Sequence, residues 1–161
     1  MIIMGLDPGT ATTGYGIIKL KRRKEKAKID IELVAYGVIL TKANGYMPNR
    51  LLEIYKEIGR LLNKHKPDKV ALESLFFFKN QKTVMTVSQA RGVIMLACAK
   101  HKLAVQEYPP LQVKNLLCQN GRADKKEIQE TVKKILKMKI IPKPDDAADA
   151  LAAAICCAHH L

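Results

Sequence analysis

"IIMGLDPGTATTGYGIIKL" occupies residues 2–20, and two β-branched runs in it, "IIMGLD" and "GYGIIKL", flank a glycine- and threonine-rich turn. Such runs, bounded by turn residues, predict strands. Asp7 ends the first, and Pro8-Gly9 supplies the residues preferred at the centre of a type II turn, so the chain should reverse just after a carboxylate. A third run, "IELVAYGVIL" (31–40), follows at once. Three adjacent strands with short links imply an antiparallel meander. Between the second and third lies "KRRKEKAK" (21–28), too charged to bury and expected as a solvated loop.

Outward from the meander, helical spacing of Leu51, Leu52, Ile54, Tyr55, Ile58, Leu61 and Leu62 predicts a helix from Arg50 to His65, stopped by Pro67. "KVALES" (69–74) is then a short strand that delivers Glu73. Thr83 to His101 reads as a second helix. Its stretch "GVIMLACA" is apolar nearly all round and asks for burial on two sides, one against the sheet and the other against a second copy of the protein. "LAVQEY" (103–108) is a last strand. "PPLQVKNLLC" begins with prolines suited to a helix start, and "QNGRAD" is a loop. Asp124 caps a helix to about Met138, and a final helix runs from Asp146 to about His159. The order β-β-β-α-β-α-β-α-α-α gives an α/β fold, a mixed β-sheet flanked by α-helices, in the ribonuclease H-like arrangement.

A chain of 161 residues, 48% of them apolar, can build one core, so residues 1–161 are expected to form a single domain. Lys and Arg number 28 against 15 Asp and Glu, a net charge of +13 that favours phosphate polymers or anionic membranes. "ALAAAICCA" falls far short of the roughly 20 apolar residues that span a bilayer, and "MIIMGL" lacks the features of a signal peptide. The expectation is a soluble, unexported protein with no membrane partner. Its four cysteines form no C-x-x-C pair, which suits reduced thiols in a cytoplasm.

Carboxylates carry the chemistry. A lone Asp-Pro-Gly usually only begins a turn, but Asp7 is followed by Thr10, Thr12, Thr13, Gly14 and Gly16, small residues that let a phosphate or a metal approach the main chain. Glu73 ends a strand where an acid has no packing reason to be, and "SLFFFKN" follows it. Phe76, Phe77 and Phe78 cannot all enter one core, so at least one should reach a partner chain or stack on a base. In "PDDAADALAAAICCAHH", Asp146 and Asp149 stand three apart and share a helix face, whereas Asp145 is expected to cap the helix. Alanines around Asp149 suit tight packing on the sheet, which would gather all four acids. Such a cluster repels itself unless a divalent cation enters, and all-oxygen ligation selects magnesium or manganese. Two such ions activate a water and steady the leaving oxygen in phosphodiester hydrolysis. Between Lys100 and Lys143, 11 Lys and Arg oppose four Asp and Glu. Lys114, Arg122, Lys125 and Lys126 flank the "QNGRAD" turn and are expected on DNA phosphates, whereas Lys133, Lys134 and Lys137 fit a solvated helix face.

"GLDPGTATTGYG", "ALESLFFFKN", "SQARGVIMLACA", "EYPPLQVK", "GRADK" and "DDAADALAAAICCAHH", in that order and over nearly the whole chain, resemble the bacterial RuvC-type Holliday-junction resolvases. The resemblance implies a ribonuclease H-like fold, a homodimer, magnesium dependence and paired symmetric nicks across a four-way DNA junction, in partnership with a branch-migration motor complex. It puts the catalytic, metal-holding tetrad on Asp7, Glu73, Asp146 and Asp149, a base-contacting aromatic on Phe76, and basic residues near the scissile phosphate on Lys114 and Lys125. The tandem pairs Lys125-Lys126 and Asp145-Asp146 leave the equivalence open by one residue. The loop 21–28 is longer than is usual in the family. Competing expectations are a nuclease of RNA hybrids on the same fold, a junction binder without catalysis, and an actin-like nucleotide-binding module, for which the chain is too short.

Overall fold

The computed structural model describes residues 1–22, 29–74 and 84–161. Its strands are β1 (Ile2–Asp7), β2 (Thr12–Arg22), β3 (Ile29–Leu40), β4 (Lys69–Glu73) and β5 (Val105–Tyr108). Its helices are α1 (Met47–His65), α2 (Val84–Lys100), α3 (Pro110–Cys118), α4 (Lys125–Ile135) and α5 (Asp145–His159). The strands form one sheet in the order β3-β2-β1-β4-β5. β1, β2 and β3 pair antiparallel as a meander, while β4 runs parallel to both β1 and β5. This is the ribonuclease H-like mixed sheet expected from the element order.

Strand alternation divides the core. Met4 lies opposite Ile17 and Val70, and Leu6 opposite Leu72; these buried side chains meet α1 and α2 through Ile54, Ile58, Ala90 and Ile94. Ile3, Ile18 and Ala71 face the other way and pack on α5, joined by α3 and α4. α5 is buried almost all round, from Ala147 to Ala158. The sheet accommodates it with glycine: a Cβ at Gly5 would lie 1.9 Å from the Ala150 carbonyl oxygen, and one at Gly14 would lie 2.0 Å from that of Asp146. Helix and sheet therefore touch main chain to main chain.

Several local expectations need correction. No glycine among the described residues has positive φ, so Pro8-Gly9 does not form a type II turn, which needs one at its third residue. Gly9 serves close approach instead, since a Cβ there would meet the Thr12 carbonyl oxygen at 2.2 Å. Thr13 Oγ1 closes the turn by donating to the Gly9 carbonyl at 2.6 Å. α1 starts three residues before Arg50, with proline in its first turn. Arg50 is itself buried, donating from Nε to Thr41 Oγ1 (2.9 Å) and from Nη1 to the Ala43 carbonyl (3.0 Å). α4 stops at Ile135, short of Met138, because Lys137 turns left-handed at φ 52. The Lys137 and Met138 amides then donate back to the Lys134 and Lys133 carbonyls, a Schellman closure without glycine. At its start, Asp124 and Glu127 form the reciprocal capping box.

Candidate active site

β1 and β4 are parallel and pair up to Leu6 and Leu72, so the last residues of the two strands, Asp7 and Glu73, stand at the same end of the sheet and on the same face. Asp7 is also paired with Gly14 of β2. The close approach of Gly14 to the Asp146 carbonyl lays the first turn of α5 directly over that spot. Asp146 and Asp149 thus come from above while Asp7 and Glu73 come from below.

Their electrostatics report the convergence. Burial raises the Asp7 carboxyl well above the usual range, and the charges of Glu73, Asp149 and Asp146 raise it further. Burial, then the Asp149 charge, pushes Glu73 up to about 7 against the opposing pull of Lys114 and Lys125. Asp149 rises to about 6, chiefly through burial, with Lys125 opposing and Asp145 and Asp146 adding to the rise. Among the described residues, no three His, Cys, Asp or Glu side chains close tightly enough to hold an ion as they stand. The acids bear on one another through their charges. Their donor set is oxygen alone, with only carboxylates offered, which fits a hard divalent cation and not zinc. Beside Glu73 and Asp149, a recess of about 30 Å³ lined by Pro110, Val113, Lys114, Ile128 and Ala152 has room for one water-sized group.

The basic residues separate by position. Lys114 lies along the recess, and its Nζ donates to the Ala123 carbonyl at 2.5 Å. Lys125 Nζ lies 2.5 Å from Asp145 Oδ2, and its charge bears on Asp7, Glu73 and Asp149. Lys126 lines a different hollow between α3 and α4, with Leu117, Glu130 and Lys134. Of the tandem pair, therefore, Lys125 faces the carboxylates. Arg122 is exposed in the loop, where its amide donates to Asn120 Oδ1 at 3.0 Å. Asp145 does not occupy the cap of α5; Pro144 does, and Asp145 is the first helical residue. Its carboxylate answers first to Lys125, which holds it below the usual range, and second to the Asp145 and Asp146 amides. Phe76 and most of the loop 21–28 lie outside the described residues.

One neighbour of the site carries no signal in the sequence. Arg91 of α2 reaches through to the Glu73 main chain, with Nη1 donating to its carbonyl at 3.2 Å. A single arginine on a helix does not announce which backbone oxygen it will find.

Residues 3–157 match the family of the crossover junction endodeoxyribonuclease RuvC. A RuvC of that description from Syntrophomonas wolfei is 50% identical over 159 residues, covering 99% of this chain and 89% of the relative. The Thermus thermophilus RuvC structure superposes with a TM-score of 0.87 at 30% identity, over 97% of this chain and 92% of that one. The T. thermophilus RuvC in complex with a Holliday junction substrate gives 0.84 at 29%, over the same shares.

Proposed function

The chain belongs to the RuvC family of crossover junction endodeoxyribonucleases, and on that premise we propose how its own residues divide the work of resolving a four-way DNA junction. It is a Holliday-junction resolvase, a nuclease of DNA recombination and repair, and nucleases of this family are metal-dependent. The observation that carries the assignment of its site is the convergence of Asp7 and Glu73 from two parallel strand ends with Asp146 and Asp149 from α5.

In this assignment the four carboxylates hold magnesium, for which manganese can substitute, with two ions per site. When bound, the metal supplies Lewis acidity to a water and to the phosphodiester oxygens. Asp7, Glu73 and Asp149, held above their ordinary range in the free protein, must release any proton they keep before they can ligate. Loading is therefore favoured as pH rises. Lys114 and Lys125 stand on the same side as the acids and put positive charge where the scissile phosphate enters. Lys125 exchanges Asp145 for phosphate as DNA arrives. Arg122 and Lys126, both exposed, bind the backbone further out. Phe76, three residues after Glu73, stacks on an unpaired base beside the crossover.

Two symmetric nicks need two identical sites, which a two-fold dimer supplies. α2 offers the face for it: Met85, Met95 and Leu96 are 74%, 39% and 57% exposed on one helix. We assign residues 1–161 to one nuclease domain, acting in the cytoplasm with a branch-migration motor complex. All four cysteines are free thiols, which suits that compartment, and among the described residues no helix is long and apolar enough to cross a membrane.

The test is cleavage of a labelled four-way junction with magnesium, beside an unbranched duplex and an RNA–DNA hybrid, by the wild type and Asp7→Asn. Paired nicks in the junction alone, lost in the variant, are expected. Tight binding without nicks would turn the assignment to a non-catalytic junction binder, and preferred cutting of the hybrid to a different nuclease.

A further inference from the structure

Arg91 sits in the middle of α2, across the sheet from α5, with 15% of its side chain exposed. Nη2 pairs with Glu107 Oε2 of β5, while Nη1 donates to the Glu73 carbonyl at 3.2 Å. That carbonyl needs a donor. The Ser74 amide bonds to the Tyr108 carbonyl of β5, so by alternation the Glu73 carbonyl points to the opposite side, towards β1. The ladder with β1 ends one residue earlier, at Leu6 and Leu72, because β1 turns away after Asp7 to make the site. The end of the β1 ladder thus leaves the Glu73 carbonyl without a strand partner on that side, and Arg91 supplies the donor.

We infer that Arg91 is a positioning residue: gripping Glu107 with one nitrogen and the Glu73 main chain with the other, it fixes the end of β4 and so sets where the Glu73 carboxylate meets Asp7 and Asp149. This rests on the assignment of Glu73 to the catalytic site. A planar fork suits this pair, since Nη1 and Nη2 reach the two acceptors from separate nitrogens held in one plane, whereas a lysine ammonium keeps the charge but would have to bring both acceptors to a single atom on a flexible stem. Glu107 keeps the guanidinium from being buried without a counter-charge. Groups that orient ligands in this way are worth roughly 10- to 100-fold in metal affinity.

The experiment compares wild type, Arg91→Lys, Glu107→Gln and Glu73→Gln in two assays. One is manganese binding to the DNA-free protein by electron paramagnetic resonance. The other is single-turnover and steady-state cleavage of a four-way junction. For Arg91→Lys we expect roughly 10-fold weaker manganese binding and a kcat lower by about 10- to 100-fold. KM, metal-free junction binding and melting temperature should stay close to wild type, and Glu107→Gln should move the same two quantities in the same direction. Unchanged manganese affinity and kcat in Arg91→Lys, with Glu73→Gln impaired in both, would overturn the inference and leave the site intact. A loss of junction binding that matches the loss of kcat would also overturn it, as a merely structural defect. If Arg91→Lys fails to fold, Glu107→Gln decides by the same criteria. If Glu73→Gln is itself unimpaired, the carboxylate assignment falls and the role of Arg91 falls with it.

Discussion

Replacing Glu73 with glutamine should stabilise the metal-free protein, by an amount that grows as pH rises above 4.5 and is complete above 7. In the unfolded chain its carboxyl titrates near 4.5; in the folded protein burial, then the Asp149 charge, lifts it to about 7. Below 4.5 both states hold the proton and the site carries no penalty. As pH climbs from 4.5 to 7 the unfolded chain releases a proton that the folded one keeps, so stability falls, and above 7 the loss is complete and level. The separation between the two states corresponds to about 3 kcal/mol. Glutamine has nearly the same shape and never takes the charge. At pH 8 the variant should thus recover most of about 3 kcal/mol, or roughly 6–12 °C in melting temperature for a chain of this size. Asp149, raised to about 6, incurs a related loss over a lower pH window, but the two acids face each other and their effects will not add. The assay is thermal melting with a chelator at pH 4.5, 6 and 8, at one protein concentration. Magnesium should then raise the wild type at pH 8 more than the variant, because it binds the folded site that glutamine has weakened. Equal melting temperatures at pH 8, or a gain as large at pH 4.5 as at pH 8, would refute the electrostatic account.

Three further outcomes test the geometry. Gly14→Ala sets a methyl 2.0 Å from the Asp146 carbonyl, so α5 must lift. Denaturant unfolding should show a loss of about 3 kcal/mol, with cleavage falling alongside, and a variant normal in both would contradict the close approach. Lys125→Gln should lower the dependence of junction binding on salt by about one phosphate contact. Asp145→Asn, which frees Lys125 from its partner, should tighten binding at low salt; an unaltered slope in the first would return Lys125 to ordinary solvated surface. Leu96→Glu, on the exposed face of α2, should halve the mass found by sedimentation, and a variant that sediments as the wild type would move the interface elsewhere.

The sheet was legible in the sequence because its signals are local. β-branched runs around Asp7 and before Glu73 gave strands, and Pro67 and Asp124 marked helix ends with mechanisms of their own. What escaped depends on who comes near. Asp145 looked like a cap because an acid before a helix usually is one, but Pro144 starts the helix and Lys125, 20 residues earlier, claims the carboxylate. The Pro-Gly turn differs for a similar reason: Pro-Gly suggests positive φ at the glycine, whereas Gly9 makes room for the Thr12 carbonyl. The same cause explains how the site is built. Gly5 against Ala150 and Ala154, and Gly14 against Asp146 and Ala147, bring strand and helix main chains into direct contact. Larger residues at those contacts would hold α5 farther off, lower the burial that lifts Asp7, Glu73 and Asp149, and weaken their mutual repulsion. Close packing of small residues thus creates the electrostatic strain, and in the proposed assignment that strain is what a divalent ion would relieve.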